Sequence, residues 1–253
     1  MPGAETAAVS AEPKRRVVEV GWLLDTNEAG FVFEEPRPFR AKREPAPSVK
    51  ALRNCPAVLD FEARYFEIPC PFDLRLGLGR TPQGRPVLVN AAGKQSAVNE
   101  PRLRQFADIL EPQLWRDPRH PVVQIQTPYR FVADEPAWLE QLAPFNFPRE
   151  APWPGVFIGR RLPIDIWPQR LAWTLEWQET DRELVLRRGE PWFYLSFETP
   201  DPDRPVRLVE AEMTPELRAH CAGLDDMARY TDRDLFEVAR SRRPKTLLTR
   251  AAG

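Results

Sequence analysis

The clearest alternation of apolar and polar positions lies at residues 171–177, LAWTLEW, where Leu171, Trp173, Leu175 and Trp177 share one face and Ala172, Thr174 and Glu176 share the other. A period of two is the pattern of a β-strand. It predicts a half-buried strand over 170–178 with one heavily apolar face. PWFYLSF, at 191–197, carries large residues on both faces and predicts a central strand covered on both sides. Further strand signals fall at 61–68, 73–78, 85–90, 122–126, 129–133, 155–159, 183–187 and 206–210, separated by Pro or Gly every eight to fifteen residues. Many short strands at this spacing predict a mainly β fold, a β-sandwich or jelly-roll-like domain, occupying residues 49–210.

Helical spacing appears in four places. Asn99 caps a predicted helix over 101–110, with Pro101 in its first turn and Leu103, Phe106, Ala107 and Leu110 on one face. A second short helix is expected at 135–142, carrying Trp138, Leu139 and Leu142. Thr214 and Pro215 start a third, running to about Tyr230 with Leu217, Cys221, Leu224 and Ala228 in a stripe, and Asp232 caps a fourth to about Arg242. These last two make residues 211–253 a C-terminal helical segment with a basic tail, expected to pack on the sheet or on a partner. Residues 17–48 read as a hairpin over 17–33, turning at Asp25–Gly30, followed by a proline-rich linker, and residues 1–16 as a mobile arm with no periodicity.

Composition sharpens this picture. Of 253 residues 29 are proline, a little over twice the usual share of about 5%. Each fixes φ and removes a backbone donor, which breaks the chain into short elements. The 36 Lys+Arg nearly cancel the 37 Asp+Glu, so no global field draws nucleic acid or an anionic membrane. No run approaches the roughly 20 apolar residues of a membrane span, and the first residues lack the order of a signal peptide, so a cytoplasmic location is expected.

Chemistry is sparsely signalled. The chain has only His120 and His220, neither in an HxD or HxE pair, so no metal and no cofactor is expected. Cys55, Cys70 and Cys221 form no CxxC pair; Cys70 and Cys221 read as small buried residues, and neither a disulfide framework nor a nucleophile is expected. There is no GxSxG elbow, and GLGRTPQG fits neither GxGxxG nor the GxxxxGK[ST] loop, reading instead as a hairpin turning at Thr81–Gly84. Beyond Glu237 there is no acid, and Arg240, Arg242, Arg243, Lys245 and Arg250 are the single place where a nucleic acid or an acidic surface finds a basic contact. Trp138, Trp153 and Trp167 lie beside prolines and, with His120, are the candidate ligand-binding residues.

The runs NCPAVLDFEARYFEIPCPFDLRL (Asn54–Leu76), HPVVQIQTPYRF (His120–Phe131) and RRGEPWFYLSF (Arg187–Phe197) together resemble an uncharacterised family found in bacteria and some tailed phages. The shared order is a Cys-Pro opening before a strand, a Pro-Phe-Asp step, a Thr-Pro segment, a Trp-containing strand and a Gly-Glu-Pro turn into an aromatic strand. The similarity spans roughly residues 50–200, and the chain departs from it at RRLPIDIWPQR, where the approach to the Trp strand is longer. The resemblance implies no activity, cofactor or catalytic residue. The expectation from the residues is an accessory protein that binds a small-molecule ligand or a protein partner without catalysis. The alternative is an enzyme that acts on a small or peptide substrate through carboxylates and Arg in a β-sandwich cleft.

Overall fold

A computed structural model describes residues 17–26, 31–40, 55–96, 98–227 and 235–252. The arm at 1–16, residues 41–48 of the linker and the Asp232 cap lie outside the described residues. The chain is mainly β, with 36% strand and 20% helix. It opens with β1 (Val18–Leu24), β2 (Arg37–Pro38), α1 (Pro56–Arg64), β3 (Tyr65–Pro69), β4 (Leu74–Arg80), β5 (Pro86–Asn90), α2 (Glu100–Phe106) and β6 (Ala107–Ile109). The middle is β7 (Val122–Gln126), β8 (Tyr129–Val132), β9 (Trp138–Leu142), β10 (Gly155–Phe157) and β11 (Arg160–Pro163). It ends with β12 (Ala172–Trp177), β13 (Leu184–Leu186), β14 (Pro191–Glu198), β15 (Val206–Glu210), α3 (Pro215–Met227) and α4 (Leu235–Arg242).

Among the described residues the strands form four sheets, ordered β15-β1-β8, β10-β12-β7-β6, β11-β9-β14-β3-β2 and β13-β4-β5. All four feed one core, to which Val20, Leu76, Ile125, Trp173 and Phe193 contribute fully buried side chains. β14 lies between β3 and β9 and is buried on both faces from Pro191 to Phe197, as its two apolar faces predict. The β4–β5 hairpin closes at Thr81–Gly84, where Gly84 takes a φ of +79° and its N–H donates to the Thr81 carbonyl at 2.8 Å. Asn99 caps α2, its side chain accepting from the Arg102 N–H at 3.0 Å.

Five expectations are corrected. The run 61–68 divides at residue 64: Phe61–Arg64 ends α1, and the alternation of Phe66 and Ile68 against Tyr65 and Glu67 begins β3. Residues 138–142 form a strand instead of a helix, because WLEQL also alternates and β14 offers it an open edge, with Tyr194 opposite Leu142 and Phe197 opposite Leu139. The 17–33 hairpin does not form. β1 pairs antiparallel with β8 and parallel with β15, and Phe31 and Phe33 pack as irregular chain against Phe106 and Tyr129. The strand at 172–177 is buried on both faces, not one. The helix expected over 101–110 ends at Phe106, and Ala107–Ile109 form β6 on the edge of β7. The C-terminal segment packs on the sheets: Ala211 bridges to Arg250, and Leu217 and Cys221 of α3 pack with Leu247 on Leu23 and Val132.

Candidate functional site

The second face of β12 explains its burial. Thr174 is 3% and Glu176 5% exposed. Glu176 accepts from Gln178 Nε2 at 3.0 Å and from Arg116 Nε at 2.6 Å, bonds that hold its carboxyl below the usual range. Arg160 donates to Thr174 Oγ1 at 3.0 Å, and Gln126 donates to Gln124 Oε1 at 2.8 Å on the neighbouring strand. His120, one of the sequence candidates, ends the loop that Arg116 ties down. Its Nδ1 stands 3.8 Å from Asp117 Oδ2 and 3.9 Å from Glu176 Oε1, too far for hydrogen bonds. The cluster therefore fastens the 110–121 loop to the sheet.

The three tryptophan candidates do not converge. Trp138 lies half-buried on β9 with the Arg161 guanidinium 5.1 Å from its ring centre. Trp153 packs edge-on to Trp173 at 5.1 Å, with the Arg149 guanidinium 4.1 Å from its ring centre. Trp167 is buried among Ile166, Leu224 and Ala239 under the C-terminal helices. Each packs against different neighbours, and no two of the three share a packing group.

A cleft of about 350 Å³ opens elsewhere, and none of these four residues lines it. Its apolar wall is Phe31, Phe33 and Phe106, with Phe31 and Phe106 edge-to-face at 5.3 Å. Tyr129 sets that wall in place: its hydroxyl donates to the Glu34 carbonyl at 2.5 Å, and its ring meets Phe33 at 5.9 Å. Arg102 sits one helical turn before Phe106 on α2, and its guanidinium lies 4.4 Å over the Phe31 ring. Arg170 approaches from the lead-in to β12, while Gln126 and Thr127 come from the end of β7.

The carboxylate at the rim is already committed. Asp25 Oδ2 accepts from Arg130 Nη2 at 2.6 Å and from its Nε at 3.1 Å, and the Arg130 side chain is only 4% exposed. Neither Arg102 nor Arg170 has a carboxylate partner among the described residues. Among the described residues the cleft thus sets two guanidinium groups without carboxylate partners against an aromatic wall, an arrangement suited to an anionic group joined to a flat or apolar body. Sequence reasoning missed it because Asp25 reads as a turn residue and the two arginines as ordinary surface charge. The aromatic wall gave no separate signal, because Phe31 and Phe33 read as part of a hairpin and Phe106 as part of the 101–110 helix stripe.

A comparison of the chain with family models, curated proteins and solved structures finds no match. Among the described residues no group of three or more His, Cys, Asp or Glu is placed to hold a metal ion. The basic contact expected at the C-terminus is partly consumed within the chain. Arg250 pairs with Glu19 at 2.5 Å, and Arg243 donates to the Asp134 carbonyl at 2.9 Å. Cys70 and Cys221 are buried, and desolvation pushes their thiols up to about 12 and about 11.

Proposed function

We propose that this protein is a binding module whose cleft takes a ligand with an anionic group and a flat or apolar body, without covalent chemistry. The observation that carries this reading is the pair Arg102 and Arg170, which have no carboxylate partner among the described residues, beside Phe31, Phe33 and Phe106. The hold of Arg130 on Asp25 favours ligand retention over proton transfer, since one oxygen of the carboxylate at the cleft is already engaged by two guanidinium N–H groups. A cytoplasmic location belongs to the same proposal; among the described residues no helix is long and apolar enough to cross a membrane.

Calorimetric titration with phenyl phosphate and benzoate, against neutral benzyl alcohol, tests the reading. Both anions bind measurably and benzyl alcohol does not, and the double variant Arg102→Gln/Arg170→Gln loses at least about tenfold in affinity, the scale of one charge-assisted bond. Equal binding of the neutral probe, or unchanged affinity in the double variant, overturns it.

A further inference from the structure

The charges that line the aromatic cleft set a requirement on its ligand. The Asp25 carboxylate and the buried Arg130 guanidinium cancel one another, which leaves the positive charges of Arg102, on α2, and Arg170, on the chain entering β12. A carboxylate, or one phosphate inside a nucleic-acid strand, brings a single negative charge against these two. A phosphate monoester brings nearly two at pH 7, with three acceptor oxygens that two forked guanidinium groups share.

The rest of the lining selects the body joined to that phosphate. In the pairing of β6 with β7, Ala107 stands opposite Ile125, so Phe106 and Gln126 follow at the same end of the pair. Gln126 Nε2 donates to Gln124 Oε1 at 2.8 Å, which leaves Gln126 Oε1 as the acceptor it offers. Asp25 is fastened beside the same end of β7, its N–H donating to the Pro128 carbonyl at 2.7 Å. Both bonds from Arg130 fall on Asp25 Oδ2, which leaves Oδ1 as a second acceptor. The aromatic wall therefore stands next to acceptor oxygens. A benzene ring fills such a wall but brings no donor to them, whereas a nucleobase with an exocyclic amino group brings a flat face and a donor edge together. At about 350 Å³ the cleft has the size of a small-ligand site, room for one nucleotide and not for a strand.

We propose that the ligand of the cleft is a nucleoside monophosphate whose base carries an exocyclic amino group. This rests on the cleft being the site for an anion joined to a flat body, as proposed for the function. Arg102 and Arg170 share the phosphate, the base lies against the Phe31, Phe33 and Phe106 wall, and its amino edge meets the Gln126 and Asp25 oxygens. Uracil, which turns carbonyl oxygens toward those acceptors, is disfavoured.

Calorimetric titration of the whole chain with the 5′-monophosphates of adenosine, cytidine, guanosine and uridine, with adenosine and with phenyl phosphate tests it. At least one amino-bearing nucleotide binds about tenfold or more tighter than both uridine monophosphate and phenyl phosphate, the scale of one charge-assisted bond, and adenosine binds at least about tenfold weaker than its monophosphate. Gln126 is exposed, so Gln126→Leu folds, and it lowers the ratio of nucleotide to phenyl phosphate affinity about fivefold. Arg102→Gln/Arg170→Gln weakens nucleotide and phenyl phosphate alike. Uridine monophosphate or phenyl phosphate matching the best amino-bearing nucleotide, or an unchanged ratio in Gln126→Leu, overturns the nucleotide assignment and leaves the anion-and-aromatic reading standing. Binding of neither phenyl phosphate nor any nucleotide, or nucleotide binding indifferent to the arginine substitutions, overturns both.

Discussion

The Arg250 guanidinium grips the Glu19 carboxylate through Nε at 3.1 Å and Nη2 at 2.5 Å, joining residues 231 positions apart in sequence. Arg250 and then Arg207 hold the Glu19 pKa below its usual value. A depressed carboxylate pKa contributes stability above the ordinary carboxylate range and loses it as the pH falls through the lowered value. Arg250→Ala therefore lowers Tm at pH 7 in low salt. The difference from wild type narrows below about pH 4 and in 1 M salt, where screening acts over about 3 Å. Paired melting curves across those conditions check it.

The two faces of β12 predict losses of different origin. Trp173→Ala removes a fully buried indole from the core and costs about 3–5 kcal/mol. Thr174→Ala removes the acceptor that Arg160 uses and costs about 1–3 kcal/mol, well above the change expected at a solvated position. Urea unfolding of the two variants measures both, and a Thr174→Ala loss within about 0.5 kcal/mol would show that its face is wet.

His220 makes stability fall on mild acidification. It is 8% exposed, its Nε2 has no hydrogen-bond partner among the described residues, and burial lowers its pKa from 6.5, with a bond to the Ile166 backbone opposing the shift and Arg243 adding to it. A base with a depressed folded pKa costs nothing while both states are neutral. Below about pH 6.5 the unfolded chain takes up the proton first, so stability drops until the folded pKa is passed. His220→Leu flattens the Tm between pH 7.5 and 5.5, while the wild type declines across it.

Thiol labelling distinguishes the three cysteines by burial. Cys55 is exposed, whereas Cys70, 2% exposed, and Cys221, 4% exposed, are desolvated with raised pKa values. Iodoacetamide at pH 8 modifies one thiol per native chain at Cys55 and all three in urea, as mass spectrometry of the peptides will show.

The β class was legible because alternation survives in short strands whose neighbours sit on both sides, as PWFYLSF shows. What escaped was decided by partners distant in sequence. LAWTLEW reveals its period but not what covers Thr174 and Glu176, because Arg160 and Arg116 come from other segments. WLEQL fits a helix and a strand about equally, and the open edge of β14 decides between them. The cleft was hidden for a related reason: Asp25 and Phe31, Arg102, and Arg170 come from three separate stretches, and each is unremarkable alone. The tryptophans were ambiguous because a large aromatic ring beside proline fits a binding surface as readily as it fits a core.

The parallel pairing of β1 with β15, Val18 opposite Val206, has a consequence for biogenesis. A ribosome making the chain exposes β1 early and must synthesise nearly two hundred further residues before its partner emerges, on the order of ten seconds or more at usual elongation rates. Both edges of β1 stay bare until β8 emerges about midway through that interval, one edge stays bare until β15 follows, and such an edge recruits other strands. Loop closure over so long a separation also makes this step late and slow. The chain's demand on chaperones is therefore concentrated at its first strand.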